Sequence, residues 1–511
     1  MSAAGFTALD LAVLIAYLIG TTLLGVWLGR AQKDAKDYFV AGHAIPWWAI
    51  LFSVVATETS ALTFISIPGL AYVGDLSFLQ IAVGYLVGRV VVAYTLLPRY
   101  YEGELVTAYT LLERRFGAAT RRFASLVFMA TRTFGDSVRV FATAIPIALI
   151  IGPIIPAQYV MPAAILILGV FTLIYTYHGG MRAVVWTDVL QTGIYLVGGI
   201  AALYLIGRGV AGGWPAIFDQ AAAANKTKLI ETGWDIRQPH TLWAGLIGGA
   251  FLSMASHGAD QIIVQRLLAS TNLRDARRAL IGSGVVVILQ FALFLIIGIG
   301  LYVFYRASAF PTPDAIFPRF IIEVMPPGLT GLVIAAILAA AMSTVSGALN
   351  SLSAATTHDI YLPLTKRTLD GQQLLRVGRR FTLLWAVILI GGAMMYREQG
   401  TPVVVIALAI ASFTYGGLLG SFFLALFWRR ARQRDVIIGM AVSITIMAFI
   451  VFAGRLVAAY PALQPTLGPF VGIAWPWYVL IGTTITFVVG MLSSFLPGGA
   501  ARVADPSLRA A

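Results

Sequence analysis

The chain contains no cysteine among its 511 residues. Disulfides, thiolate metal sites, cysteine nucleophiles and iron–sulfur clusters are therefore excluded. Histidine is also scarce, and the five histidines have neither the spacing of a metal site nor a neighbouring carboxylate motif. They are His43, His178, His240, His257 and His358. We therefore expect that the protein is not an enzyme.

Charged residues are few as well. They make up 11% of the chain, against about 25% in an ordinary soluble domain. Hydrophobic residues make up 59%, which leaves too little polar surface to clothe a soluble protein of this length. The apolar side chains must face lipid, and we expect residues 1–511 to form a single all-α integral membrane domain.

Apolar runs long enough to cross the membrane recur along the whole chain. A helix needs about 20 such residues to span a bilayer, because its backbone groups must be satisfied within the segment. We predict about 13 spans. They lie near 7–29, 46–72, 78–100, 123–151, 157–177, 184–208, 241–268, 277–307, 329–356, 379–396, 402–427, 436–455 and 471–495.

Lysine and arginine outnumber aspartate and glutamate by 35 to 22, and they concentrate in one alternate set of the predicted loops. Cytoplasmic loops carry this excess, so we predict an outer N-terminus and an inner C-terminus. Arg266 falls among the predicted inner-loop cations. The positive charge thus indicates orientation in a lipid bilayer. We expect no nucleic-acid partner and no obligatory protein partner.

Two of the apolar spans contain clusters of hydroxyl groups. Span two has Thr57, Glu58 and Thr59 in the stretch 56–63, and span nine has Ser343 and Ser346 in the stretch 340–351. Such hydroxyls can simply bond their own helix or allow close packing. A carboxylate within the membrane is costly, however, and broken helices with free oxygens can bind hard cations such as sodium. We therefore predict helix interruptions and an ion or solute path at both places.

Further charges lie inside the predicted spans. Asp188, near the start of span six, could cap a helix near the headgroups or serve a cation route. Asp136 and Arg139 have helical spacing and are expected to pair. For Arg89 and Arg132, as for that pair, structural roles are favoured over contact with a solute.

Several motifs in fixed order resemble the sodium/solute symporter family over nearly the whole chain. They are Asp37–Gly42, Gly179–Asp188, Asp260–Arg266, the serine-rich run ending at Leu349–Ser351, and Tyr415–Gly420. The resemblance implies a leucine-transporter-type fold with discontinuous helices and two inverted five-helix repeats, over 46–208 and 241–427. An extra helix at 7–29 and two more within 436–495 complete it. The implied function is sodium-coupled import of a small polar organic solute across the cell membrane by alternating access.

The resemblance also implies site residues. Sodium is expected to bind the backbone oxygens of Ala56, Thr59 and Ala340 and the hydroxyls of Ser343 and Thr344. Asp188 and Ser346 could hold a second cation or line an ion path, although Gly347 stands where some family members have another serine. The implied substrate-binding residues are Thr57, Glu58, Thr63, Gln80, Tyr85, Ser253, Ser256, His257, Thr414 and Tyr415.

The identity of the solute stays open. A carboxylate at Glu58 favours an amine or a hydroxyl-rich solute and, if ionised, would repel an anion. Two alternatives to sodium symport also stay open. One is a proton-coupled carrier of the same fold that uses Glu58 or Asp188, and the other is a transporter-like channel or sensor.

Overall fold

The computed structural model describes residues 6–30, 34–59, 61–102, 105–152, 154–366, 369–396 and 403–497. Within these ranges the chain is helical, and the β pairing is limited to an isolated bridge between Ile45 and Ser270. The all-α prediction is therefore confirmed. Ser60 in the predicted span-two break, and residue 402 where predicted span eleven begins, lie outside the described residues.

The helices follow one another along the predicted spans. The first eleven are α1 (Ala8–Gly29), α2 (Ala35–Val40), α3 (Trp47–Glu58), α4 (Ala61–Val73), α5 (Leu79–Tyr100), α6 (Thr110–Phe116), α7 (Ala118–Ile151), α8 (Ala157–Gly209), α9 (Gly213–Ala223), α10 (Gly249–Gly258) and α11 (Gln261–Leu268). The others are α12 (Leu273–Phe304), α13 (Ile316–Val324), α14 (Leu329–Ala355), α15 (Leu362–Thr365), α16 (Gly371–Met395), α17 (Val403–Phe427), α18 (Gln433–Val451), α19 (Ala453–Ala459), α20 (Gln464–Leu467) and α21 (Pro476–Ser493). Wider π-helical turns precede α10 at Ala244–Gly248 and follow α14 at Thr356–Tyr361.

Eight of the described helices are long and apolar enough to cross a membrane, or nine if the bent pair α3 and α4 counts as one span. A protein with many spans is thus supported. The number of about 13, the orientation of the termini and the repeat boundaries stay predictions.

Spans five and six are not separated by a loop. They form the 53-residue helix α8, which bends sharply at Gly180. Gly180 has φ 50° and ψ −151°, a conformation that glycine adopts without the steric cost of a side chain. The chain therefore changes direction at a single residue, which lies within the predicted connection between residues 177 and 184.

Span two is interrupted as predicted. Helix α3 ends at Glu58, Thr59 leaves the helical conformation with φ −79° and ψ 90°, and α4 continues at an angle of 61°. At this break the backbone hydrogen bonds of the helix stop, so the last carbonyl oxygens of α3 have no partner within the helix.

The predicted interruption of span nine was wrong, because α14 is continuous through its hydroxyl cluster. The hydroxyls of Thr344 and Ser351 donate to Ala340 O and Gly347 O, one turn back in their own helix. Such bonds satisfy the hydroxyls without opening the helix. The second broken span is span seven, where α10 ends at Gly258 and Asp260 caps the start of α11 by accepting from Ile262 N.

Helix α14 lies at the centre of the molecule, and almost every residue from 330 to 355 is buried. Its alanine, glycine and serine side chains are small, which allows neighbouring helices to approach closely. Helices α1, α7, α8 and α16 pack around it, and α3 and α4 also contact it. The two helices of the interrupted span two therefore both lie against α14.

Candidate functional site

The end of α3 is held against two other helices. The Thr59 hydroxyl accepts a hydrogen bond of 2.6 Å from Gln290 Nε2 on α12. The same nitrogen donates to the hydroxyl of Tyr195 on α8, at 2.8 Å. Thr59 is buried, as is Ala56 one turn earlier. These contacts fix the position of the break, where the sequence predicted two of the backbone sodium ligands.

The predicted ligands on α14 are also buried, and they differ in their hydrogen bonds. Thr344 Oγ1 lies 3.1 Å from Ala340 O, so these two predicted ligand oxygens are adjacent. Ser346 Oγ donates to Ser343 O at 3.0 Å. Ser343 Oγ instead donates across to the carboxylate of Asp188, at 2.7 Å. Helix α14 packs against α3, which carries Ala56 and ends just before Thr59.

Asp188 lies in the middle of α8 and is fully buried, so the interpretation as a cap near the headgroups was wrong. Its carboxylate accepts from Ser53 Oγ at 2.5 Å, from Ser343 Oγ at 2.7 Å and from Arg266 Nη2 at 3.2 Å. Arg266 also donates to Ser53 Oγ at 2.9 Å and to Ile262 O at 3.0 Å. One carboxylate thus joins α3, α8, α11 and α14.

Arg266 is not a loop cation, which corrects its predicted place among the inner-loop charges. It is buried on α11 and packs against Gly347 of α14. A methyl group at Gly347 would come within 2.7 Å of Arg266 Nη2, so the guanidinium depends on the missing side chain there. The positive charge beside Asp188 is therefore this arginine. A second cation at Asp188 and Ser346 would require it to move.

Glu58, at the last position of α3, forms an ion pair with Arg89 of α5. Arg89 Nη2 also lies 3.0 Å from His257 Nε2 on α10. A guanidinium can only donate, so this contact is a hydrogen bond when Nε2 accepts, with the ring neutral and its proton on Nδ1. That nitrogen lies 2.8 Å from Ser256 Oγ and 3.2 Å from Ser253 O. The sequence predicted Glu58 and His257 as site residues but gave no sign that Arg89 is their common partner.

The other predicted substrate residues divide into groups. Ser253 Oγ donates to Tyr85 O at 2.8 Å, which places both residues beside the Glu58 cluster. Gln80 is instead bonded to the loop that contains Glu231 and His240, since it donates to His240 O and accepts from Glu231 N. Thr57 donates to Ser53 O within its own helix, and Thr63 is half-buried on α4.

Thr414 and Tyr415 belong to a second charged cluster, centred on Arg132 of α7. Arg132 Nη2 donates to Asp260 Oδ2 at 2.5 Å and to the Tyr415 hydroxyl at 2.8 Å. The Thr414 hydroxyl accepts from Thr131 at 2.8 Å. Asp136 Oδ1 lies 3.4 Å from Arg132 Nη1 and 3.4 Å from Arg139 Nη1. The predicted pair of Asp136 and Arg139 is present, but Arg132 shares the carboxylate.

The two clusters meet at the break in span seven. His257 lies at the end of α10 and Asp260 at the start of α11, so this break contributes to both. The two clusters together contain equal numbers of acidic side chains and arginines. The most exposed of these arginines is Arg139. The side chain of Arg139 is 23% exposed, compared with 10% for Arg132 and 0% for Arg89.

Known proteins share this arrangement of helices. The model of the "Sodium:solute symporter family" matches residues 38–443. The sodium/sialic acid symporter NanT of Aliivibrio fischeri is 31% identical, over 97% of this chain and 94% of its own. The sodium/sialic acid symporter SiaT of Proteus mirabilis is 31% identical, over 86% and 88%.

A solved structure of a Na+-coupled sialic acid symporter, in a substrate-bound outward-open state, superimposes with a TM-score of 0.83. It is 29% identical and covers 97% of this chain and 100% of its own. These relatives are transporters that use Na+ as the coupling ion. With its apolar helices, the protein is a multi-pass protein of the plasma membrane. The match to the family model and the similarity over nearly the whole length show that the chain belongs to the sodium:solute symporter family.

Proposed function

We propose that the protein imports a sialic acid, or a closely similar sugar acid, together with Na+ by alternating access. The observation that carries this proposal is the charge balance at the site: Arg89 neutralises Glu58, while Arg139 is left partly exposed. Similarity to two sialic acid symporters over most of the chain supports it.

The ion pair removes the objection that Glu58 would repel an anion. With Arg89 fully buried behind it and its own side chain 16% exposed, Glu58 can accept hydrogen bonds from solute hydroxyl groups. Arg139 shares Asp136 with Arg132 through contacts of 3.4 Å, which is long for a charged hydrogen bond. A guanidinium binds a carboxylate well through two parallel hydrogen bonds. We therefore assign the solute carboxylate to Arg139.

We propose that Na+ binds between the break in span two and α14. Its ligands would be the backbone oxygens of Ala56, Thr59 and Ala340 and the hydroxyls of Ser343 and Thr344. Ser343 donates its proton to Asp188, so the lone pairs of its oxygen remain free for an ion. An ion held by both elements would keep α3 against α14. Binding of Na+ and of solute would then strengthen each other by the same factor.

Replacing Arg139 by glutamine is expected to raise the KM for sialic acid about 10- to 100-fold, because a charge-assisted hydrogen bond contributes about 1.5–3 kcal/mol. The measurement is Na+-driven uptake of radiolabelled N-acetylneuraminate into proteoliposomes. Arg122→Gln is the matched control, since it removes a more remote arginine from the same helix and should leave the KM unchanged. An unchanged KM in Arg139→Gln contradicts the assignment of the carboxylate. Failure of the folded wild-type protein to take up sialic acid contradicts the proposed substrate.

Removing one sodium-binding hydroxyl is expected to weaken Na+ binding selectively. We expect Ser343→Ala and Thr344→Ala each to raise the Na+ concentration for half-maximal uptake about tenfold, which corresponds to ~1.4 kcal/mol. Ser351→Ala is the control on the same helix, because its hydroxyl bonds only its own backbone. Sodium titrations of uptake at clamped pH measure the effect. Unchanged sodium dependence in both variants would rule out this ligand set, and uptake without Na+ would favour the proton-coupled carrier.

A further inference from the structure

Helix α14 and the π-helical turn after it bury two polar side chains that bond to no other described residue. Both amide atoms of Asn350 lack a hydrogen-bond partner within the described ranges, and so does the hydroxyl of Thr357. Both residues are fully buried. A buried polar group without a partner destabilises the state in which it is found.

The neighbouring hydroxyls on the same segment are satisfied. Ser351 donates to Gly347 O at 2.6 Å and Thr356 to Leu352 O at 2.8 Å. Ser353 donates to Gly378 O of α16 at 2.7 Å. The unpaired groups of the two fully buried residues therefore share one face of the helix, while the unpaired Nε2 of the less buried His358 lies off that face.

That face leads away from the proposed sodium site. Ser343, Asn350 and Thr357 are seven residues apart, and two helical turns bring each within about 20° of the one before. Each step is about 10 Å along the helix axis. The row runs toward the segment that carries Lys366 and Arg376, which is on the predicted cytoplasmic side. It ends in the π-helical turn Thr356–Tyr361.

The inner half of span seven covers this face between Ser343 and Asn350. Arg266 of α11 packs against Gly347, one turn from each of them. The adjacent Gln265 is fully buried and donates to Phe39 O, while its own side-chain oxygen has no partner in the described part of the chain. In this conformation α11 therefore covers the end of the row nearest the proposed sodium site, between Ser343 and Asn350.

We propose that the row Ser343–Asn350–Thr357 is one wall of the route by which the coupling ion leaves toward the cytoplasm. When α11 separates from α14, water reaches Asn350 and Thr357, and their oxygens can bind a partly hydrated monovalent cation as it passes. Amide and hydroxyl oxygens suit such a cation. Partners gained in the inward-facing state account for groups that are unpaired in this one. The inference rests on the proposed sodium site and not on the identity of the solute.

The absence of cysteine makes this proposal directly testable, because a single introduced thiol has no background. We would prepare Asn350→Cys and Thr357→Cys, with Ser351→Cys as control, in inside-out vesicles. Trimethylammonium methanethiosulfonate, which does not cross membranes, is applied from the cytoplasmic side. Without Na+ the first two variants should react about tenfold faster than the control, and saturating Na+ should slow them about tenfold by favouring the closed state.

Reaction of Asn350→Cys and Thr357→Cys no faster than Ser351→Cys would overturn the proposal, and so would rates that do not respond to Na+. A second variant, Asn350→Leu, removes the unpaired amide and should not lower the melting temperature. It should lose net Na+-driven uptake but keep solute exchange at equal Na+ on both sides, since exchange can proceed while Na+ stays bound to the carrier. Equal loss of uptake and exchange would count against the route. The thiol reaction needs no solute, so failure of the proposed substrate would not affect it.

Discussion

Replacing Asp188 by asparagine is expected to lower the free energy of unfolding by about 3–5 kcal/mol, because it leaves a buried charge without its partner. The unpaired group would be Arg266, which is fully buried and packed against Gly347. Asparagine keeps the size of Asp188, but its single oxygen can accept from only one of the Ser53 and Ser343 hydroxyls, so the expected loss includes one hydrogen bond as well as the charge. Thermal unfolding of the purified protein in detergent measures the loss.

The control for this prediction removes both charges. The double variant Asp188→Asn with Arg266→Met should recover most of the lost stability, since replacing a whole buried ion pair by neutral groups is often nearly neutral. The single variant Arg266→Met should also be destabilised, because Asp188 is then the unpaired charge. A double variant less stable than both single variants would show that the two residues do not compensate each other.

Replacing Arg89 by methionine is expected to reduce the initial rate of uptake about 100-fold, which corresponds to ~2.7 kcal/mol. The substitution leaves Glu58 without a counter-charge beside the proposed solute, and an anionic solute would then be repelled. His257 would also lose the donor to its Nε2. Uptake of labelled sialic acid, normalised to the amount of folded protein in the vesicles, measures the effect.

A second variant, in which Glu58 is also uncharged, tests why Arg89→Met is expected to lower the rate of uptake. Arg89→Met combined with Glu58→Gln should regain at least about tenfold in rate, because the repulsion disappears although the hydrogen bonds do not return. If the double variant is as inactive as Arg89→Met, repulsion by Glu58 is not the cause. Wild-type uptake by Arg89→Met would show that Glu58 needs no compensation.

The sequence drew attention to Glu58 and Asp188 but not to their partners. Glu58 was predicted as a site residue because a carboxylate inside an apolar span is costly, and it does lie at a helix break. Its partner Arg89 is 31 residues away on another helix. Asp188 and Arg266 are 78 residues apart. No local pattern connects such residues, since their proximity depends on how the helices pack.

The positions of helix breaks were also only partly predictable from the sequence. The hydroxyl cluster around Ser343 predicted a break, but those groups bond their own helix or Asp188, and α14 continues. The break in span seven lies at the start of the Asp260–Arg266 motif, which carries the family resemblance but predicted no break. The order Gly258, Ala259, Asp260 carried the missed signal, because glycine commonly ends a helix and aspartate caps the next one.

The sequence by itself determined that the chain is a helical membrane protein, where its apolar helices lie, and that one break contains Glu58. These properties depend on a window of about 20 residues, because each helix satisfies its own backbone and exposes its own apolar surface. Only the tertiary structure decided which charges neutralise one another and which polar groups stay unpaired. Ion pairs act over a few ångströms in space, and packing around α14 brings together residues that the sequence keeps far apart.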